Sequence, residues 1–85
     1  MQLSKLRWKC RKGIRELDIL LTNYLDSTFV KLPKQDQEIF ARFVDIDPHE
    51  MFDIVFNKKP FNEEFSKIVQ GLSVVNQIVK NEKKN

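Results

Sequence analysis

Arg11-Lys12-Gly13-Ile14-Arg15-Glu16-Leu17-Asp18-Ile19-Leu20-Leu21-Thr22-Asn23-Tyr24-Leu25-Asp26-Ser27-Thr28-Phe29 holds the clearest helical signal of the chain and its most crowded charge. From Ile14 onward, Ile14, Leu17, Leu21, Tyr24, Leu25 and Phe29 recur mostly three and four residues apart, which places them on one face of an amphipathic helix. Glu16 and Asp18 lie near its start, where the helix dipole favours anions. Pro33 is expected to mark its end, because proline cannot continue the backbone ladder. A helix with one apolar stripe needs other apolar surfaces to pack on. The rest of the chain supplies them with the same period.

Upstream, a first helix is expected from about Leu3 to Lys12, with Leu3, Leu6 and Cys10 on one face and Trp8 off to the side. Ser4 is a candidate cap for its start. Gly13 then falls where a left-handed residue closes a helix, and the preceding cations suit the negative end of the dipole. Downstream, a third helix should run from about Lys34 to Ile46 and bury Ile39, Phe40, Phe43 and Val44. Asp47-Pro48-His49-Glu50 is a strong start signal for a fourth: Asp47 caps, Pro48 fits the first helical position, and Glu50 stands at the capping-box position. That helix carries Met51, Phe52, Val55 and Phe56 and stops in the Asn57-Lys58-Lys59-Pro60 turn. Asn62 caps a fifth, striped by Phe65, Ile68, Val69, Leu72, Val75 and Val79 and interrupted at Asn76. No strand-type alternation persists over a useful length. The fold class is therefore all-α, a compact bundle of about five short helices forming one domain over residues 1–80, with a polar, disordered tail at 81–85.

A chain of 85 residues makes one small domain whose core is a single layer of side chains between short helices. That leaves little room for an enclosed ligand pocket of roughly 300–1,000 Å³, so a large cofactor held inside this chain is not expected. The net charge of +3 permits nucleic-acid binding without arguing for it, since acids are spread through the rest of the chain. One cysteine allows no internal disulfide and fits a reducing compartment. No apolar run approaches the ~20 residues that span a bilayer. The acid-free start, Met1 to Lys12, runs straight into the Gly13 bend and reads as mature protein rather than a targeting segment. A soluble cytoplasmic protein is the expectation.

No catalytic constellation is visible, and an enzyme is not expected. His49 is the sole histidine; it lies in a first helical turn without companion ligands at metal spacing. Cys10 has basic neighbours that could depress its pKa, but its place beside Leu3 and Leu6 reads as a buried structural thiol. There is no glycine-rich phosphate loop. Most phenylalanines fall on apolar stripes and read as core. Gly71, inside the fifth helix, costs ~1 kcal/mol relative to alanine, and close approach of a neighbouring helix is the expected reason. Trp8, off the apolar face and among cations, reads either as a partner contact or as a lid on the small core.

The cluster around Gly13 also admits two readings. Helix capping and dipole effects account for Arg11, Lys12, Gly13, Arg15 and Glu16 one at a time. They do not account for Arg11, Lys12 and Arg15 crowding around one backbone bend, which points to a binding surface.

The run Arg11-Lys12-Gly13-Ile14-Arg15-Glu16-Leu17-Asp18-Ile19-Leu20-Leu21 resembles the FAD assembly factors of succinate dehydrogenase, whose hallmark is an Arg-Gly-x-x-Glu motif followed by a Leu-Asp-Leu-Leu-like run. The likeness extends upstream through Leu6-Arg7-Trp8-Lys9-Cys10. Downstream it takes in Phe40-Ala41-Arg42-Phe43-Val44 and the Asp47-Pro48 step, and it fades in the last helix. One departure stands out: Lys12 occupies the position of the motif arginine. Lysine keeps the charge but loses the planar fork that binds carboxylates and carbonyls bidentately. Either the partner accepts a point charge there, or Arg11 or Arg15 supplies the fork.

The resemblance implies a small all-α protein, found in bacteria and mitochondria, that helps the flavoprotein subunit of succinate dehydrogenase, and in bacteria also of fumarate reductase, attach FAD covalently to one of its own histidines. It implies no tightly bound cofactor on this chain, since FAD belongs to the partner. It also implies a cytoplasmic location, with the mitochondrial matrix as the eukaryotic equivalent. The partner-facing residues would be Trp8, Arg11, Lys12, Gly13, Arg15 and Glu16, on a chain that is monomeric when free, inserts into no membrane and binds no nucleic acid. The competing readings are a basic regulatory or antitoxin-like protein that binds another protein, and a nucleic-acid-binding protein that uses the basic first helix.

Overall fold

The computed structural model describes the backbone of residues 3–83 and the side chains of residues 3–78. Its elements follow in order: α1 (Leu3–Lys9), α2 (Arg15–Ser27), a 3-10 turn (Phe29–Lys31), α3 (Lys34–Phe43), α4 (Pro48–Phe56), a second 3-10 turn (Glu63–Phe65) and α5 (Ser66–Lys83). No strand occurs among the described residues, so the all-α expectation holds. Among these residues no helix is long and apolar enough to cross a membrane.

The apolar stripes meet as their periodicity requires. Leu17, Leu21, Tyr24 and Leu25 of α2 are buried, together with Phe29 from the 3-10 turn that follows. α2 packs chiefly on α5, whose Phe65-side start, Ile68, Leu72 and Val75 face inward; α3 and α4 close over the same helix. Leu20 and Ile54 are also buried, although neither lies on the narrow stripes read from the sequence. A helix in the middle of a small bundle meets neighbours on more than one side, and the buried arc widens to match. Aromatic contacts lock the centre: Tyr24 stacks on Phe40 at 5.1 Å, Phe29 tilts against Phe40 at 5.3 Å, and Phe43 meets Phe65 edge-on at 5.3 Å.

Gly71 has the packing role expected of it. A Cβ there would lie 2.8 Å from Cε2 of Tyr24, so the missing side chain is what lets α5 approach α2. Asp47 also behaves as expected: its Oδ2 accepts the His49 and Glu50 amides at 3.1 and 3.3 Å, with Pro48 at the first helical position. Asn62 accepts the Glu64 amide at 3.0 Å, capping the 3-10 turn that runs directly into α5.

Several boundaries differ from the sequence reading. Pro33 does not end α2; it stands at the start of α3, while α2 stops at Ser27 and Phe29–Lys31 form the intervening turn. That turn is held by the Gln37 side-chain amide, which donates to the Phe29 carbonyl at 3.1 Å. α3 ends at Phe43 rather than Ile46, and single turn bonds carry the chain through Asp45 and Ile46. Ser4 is not a cap, since it lies inside α1. Helical backbone continues to Lys83, three residues past the expected domain end at residue 80, in a stretch of good helix formers without glycine or proline. The Val79 side chain, and Lys84 and Asn85 of the expected tail, lie outside what the structure describes.

Candidate functional site

The bend between α1 and α2 differs most from the sequence reading. α1 ends at Lys9, three residues early, so Gly13 does not close that helix. The Cys10 amide still reaches back to the Leu6 and Arg7 carbonyls, and the Arg11 amide to that of Trp8 at 3.1 Å. The next two amides are diverted. Lys12 N–H donates to Asp18 Oδ1 at 2.6 Å, and Gly13 N–H donates to Asp18 Oδ2 at 3.1 Å. A carboxylate in the first turn of α2 thus takes the donors that would have extended α1, the competition by which Asp side chains end helices. Gly13 has φ +85°, a left-handed conformation that glycine adopts without steric cost. Ile14, extended at φ −111° and ψ 113°, then leads into α2.

A Cβ added at Gly13 would meet nothing within 4 Å. No intramolecular contact requires glycine there; the backbone dihedral does, and the position opens outward. Arg11, Arg15 and Glu16 flank it and are exposed. Among the described residues none of the three makes a side-chain hydrogen bond or ion pair. Trp8 is 71% exposed, too open to serve as a lid on the core.

Lys12 stands apart from the other cations. Its side chain is half-buried, and its ammonium donates to the Val44 carbonyl. Burial lowers its pKa, a loss of solvation only partly offset by the nearby Asp45 charge. Val44 sits at the C-cap of α3, where backbone carbonyls lack helical partners and the dipole favours a cation. Lys9 strengthens the same junction through Asp45 at 3.1 Å, and Arg7 ties α1 to α2 through Asp26 at 2.6 Å. Both are exposed pairs, weakened by solvent screening. Their effect is to spend two of the basic cations internally, leaving Arg11 and Arg15 beside the glycine.

The basic surroundings do not activate Cys10. Its side chain is fully buried, and burial pushes the thiol up to about 11 despite Lys12 and Arg7 nearby. It is a core residue. No cluster of three or more His, Cys, Asp or Glu residues that could hold a metal occurs among the described residues. A groove of about 660 Å³ runs between α1, the first 3-10 turn and α3, lined by residues that include Leu3, Leu6, Phe29 and Ala41; no residue of the Arg11–Asp18 bend lines it. The bend lies outside this groove and is open at Gly13.

The structure thus brings Arg11, Gly13, Arg15 and Glu16 together at one outward-facing turn. It commits Lys12 to an internal carbonyl, and it leaves Trp8 exposed on the helix that leads in. Sequence reasoning missed Asp18 and Val44. Asp18 was legible only as an anion near a helix start. Val44 acts through its backbone, which no side-chain pattern encodes.

A family model described as flavinator of succinate dehydrogenase matches residues 4–76, which include the whole bend. The chain is 39% identical over 70 residues to the FAD assembly factor SdhE of Coxiella burnetii, covering 81% of this chain and 85% of that relative. It is 33% identical over 52 residues to the FAD assembly factor SdhE of Shewanella oneidensis, covering 61% of this chain and 63% of that one. No solved structure gives a significant match.

Proposed function

The chain belongs to the family of flavinators of succinate dehydrogenase, and from that premise we propose that it is a non-catalytic assembly factor whose Arg11–Glu16 turn docks on the flavoprotein subunit. In this role it promotes covalent attachment of FAD, with both the flavin and the acceptor histidine belonging to the partner. The observation that carries the reading is the family match across residues 4–76, which spans the turn.

The geometry supports a conformational mode of action. A standard interface hides ~800 Å² on each partner, roughly one-seventh of the 5913 Å² this chain exposes. Gly13 leaves room for a partner backbone at the apex of the turn. Arg11 and Arg15 present guanidinium forks suited to carboxylates or carbonyls, and Trp8 adds a large, rigid apolar contact. Glu16 is exposed and positioned for a cation on the partner. Such a factor accelerates attachment by binding the attachment-competent conformation of the subunit more tightly than the others; turning a 1:99 population into 99:1 takes ~10⁴-fold selectivity. The reading includes a cytoplasmic, monomeric protein that makes no nucleic-acid contact.

The test combines apo flavoprotein subunit, free FAD and this protein, then reads covalent flavin by in-gel fluorescence after denaturation. Covalent flavin should rise above the level formed without the protein, and an unchanged level refutes the proposal. Running the flavoprotein of fumarate reductase in parallel defines the range of partners. Glu16→Ala should lose stimulation while keeping its helical content.

A further inference from the structure

Resting on the reading of this turn as partner-facing, we infer that Lys12 and Asp18 are positioning residues that hold the turn in its docking geometry from inside the molecule, and that Arg11 and Arg15 are the cations that meet the partner. Three observations carry this.

The first is the Asp18 carboxylate. Its two oxygens accept the adjacent Lys12 and Gly13 amides at 2.6 and 3.1 Å. One carboxylate accepting two successive N–H groups is the arrangement of an anion-binding nest, and Gly13, at φ +85°, supplies the left-handed residue of the turn directly after the Lys12 backbone. The anion comes from the chain itself, so the nest is filled internally and the turn is rigid before any partner arrives. Preorganisation of this kind spares the ordering cost of binding.

The second is Lys12. A cation reserved for a partner should be solvated in the free protein, but the Lys12 ammonium is half-buried and caps the last turn of α3 through the Val44 carbonyl. It fixes the turn to the body of the bundle, as Asp18 fixes it to α2. The third is the contrast with Arg11 and Arg15. Two residues before and two after Gly13, they are exposed and form no ion pair or side-chain hydrogen bond among the described residues. Together these observations account for a lysine at the position where the family motif has arginine. A single backbone carbonyl needs one donor, which an ammonium supplies, and the planar fork is required only where a partner is met.

The experiment measures binding of apo flavoprotein subunit across a salt series and, in the free protein, amide exchange of Lys12 and Gly13 by NMR. Removing a contact cation reduces the salt dependence of association, whereas removing a positioning residue weakens binding without changing that dependence. Lys12→Met should weaken binding about tenfold, the effect of losing one charged hydrogen bond. It should keep the wild-type salt slope and speed exchange in the turn, and Lys12→Arg should restore binding. Asp18→Asn should speed exchange of both amides. Arg11→Ala and Arg15→Ala should lower the salt slope with exchange unchanged. A Lys12→Met variant that lowers the slope as Arg11→Ala does, with exchange unaltered, overturns the assignment of Lys12. Unaltered exchange in Asp18→Asn overturns that of Asp18. Absence of any binding by the wild type refutes the partner-facing reading and the roles of Arg11 and Arg15 with it; the internal clamps are then decided by exchange alone.

Discussion

Substituting Gly13 separates what the backbone needs from what the surface needs. Any L residue at φ +85° incurs the left-handed penalty of about 1–2 kcal/mol. No steric term adds to it, because the new Cβ meets nothing within 4 Å. Atoms beyond Cβ project further outward, so Gly13→Ala and Gly13→Arg should lose the same stability to within about 0.5 kcal/mol. A domain of this size is stable by roughly 4–13 kcal/mol, so both variants stay folded. Urea unfolding followed by circular dichroism should show both midpoints lowered by about 1–2 M, taking a slope near 1 kcal/mol per M. Their flavinylation should differ sharply: Gly13→Ala retains part of the stimulation and Gly13→Arg loses it, since the arginine occupies the space a partner backbone would enter. Two results refute the reasoning. One is a Gly13→Arg variant less stable than Gly13→Ala by more than about 1 kcal/mol, which would mean the position faces protein. The other is equal activity in the two variants, which would mean the apex of the turn meets nothing.

Other perturbations test the fold that carries the turn. Gly71→Ala should destabilise the protein by about 1–2 kcal/mol despite the ~1 kcal/mol helix gain, because Tyr24, held against Phe40, blocks the new Cβ at 2.8 Å. In a Tyr24→Leu background the same change should become neutral or stabilising in urea melts; stabilisation in the wild-type background contradicts the packing argument. Cys10 is held neutral, with its pKa raised from 9.0 to about 11, so the stability it contributes is complete below pH 9 and is lost as the pH rises toward 11. That amounts to roughly 1 kcal/mol by pH 10, and Cys10→Ala should show a correspondingly flatter alkaline stability profile. Lys58 adopts φ 57° after α4 so that the Lys59 amide can turn back to the Asp53 carbonyl at 3.1 Å. Lys58→Gly should therefore raise the urea midpoint by the equivalent of about 0.5–1 kcal/mol; a lowered midpoint would show that the lysine side chain contributes more than its backbone conformation costs.

Much of this was legible in the residues because it is local. The stripe from Leu17 to Leu25 and the Asp47-Pro48 start depend on contacts within about four positions, which periodicity and capping chemistry report directly. Gly71 was also legible, since a glycine inside a helix calls for a close neighbour, although the neighbour's identity as Tyr24 was not. The misplaced boundaries share one cause. α1 ends at Lys9 because Asp18, from the following helix, takes its next donors. α2 ends before Pro33 because burial of Phe29 and the Gln37 bond to its carbonyl favour a tight turn. Competition of this kind between elements leaves no periodic trace.

The sequence by itself determined that this is an all-α domain, placed its helices to within a few residues, and marked the turn around Gly13 as the place where charge exceeds what packing requires. Tertiary structure decided how that charge is divided. Arg7 and Lys9 are neutralised by Asp26 and Asp45, Lys12 is bound to a carbonyl of α3, and Arg11 and Arg15 are left facing outward. The physical reason is that a helix stripe is set by bonds a few residues apart, whereas the partner of a long cationic side chain is set by which distant element comes within its reach. For Lys12 that partner lies 32 positions along the chain, and only the packed bundle brings the two together.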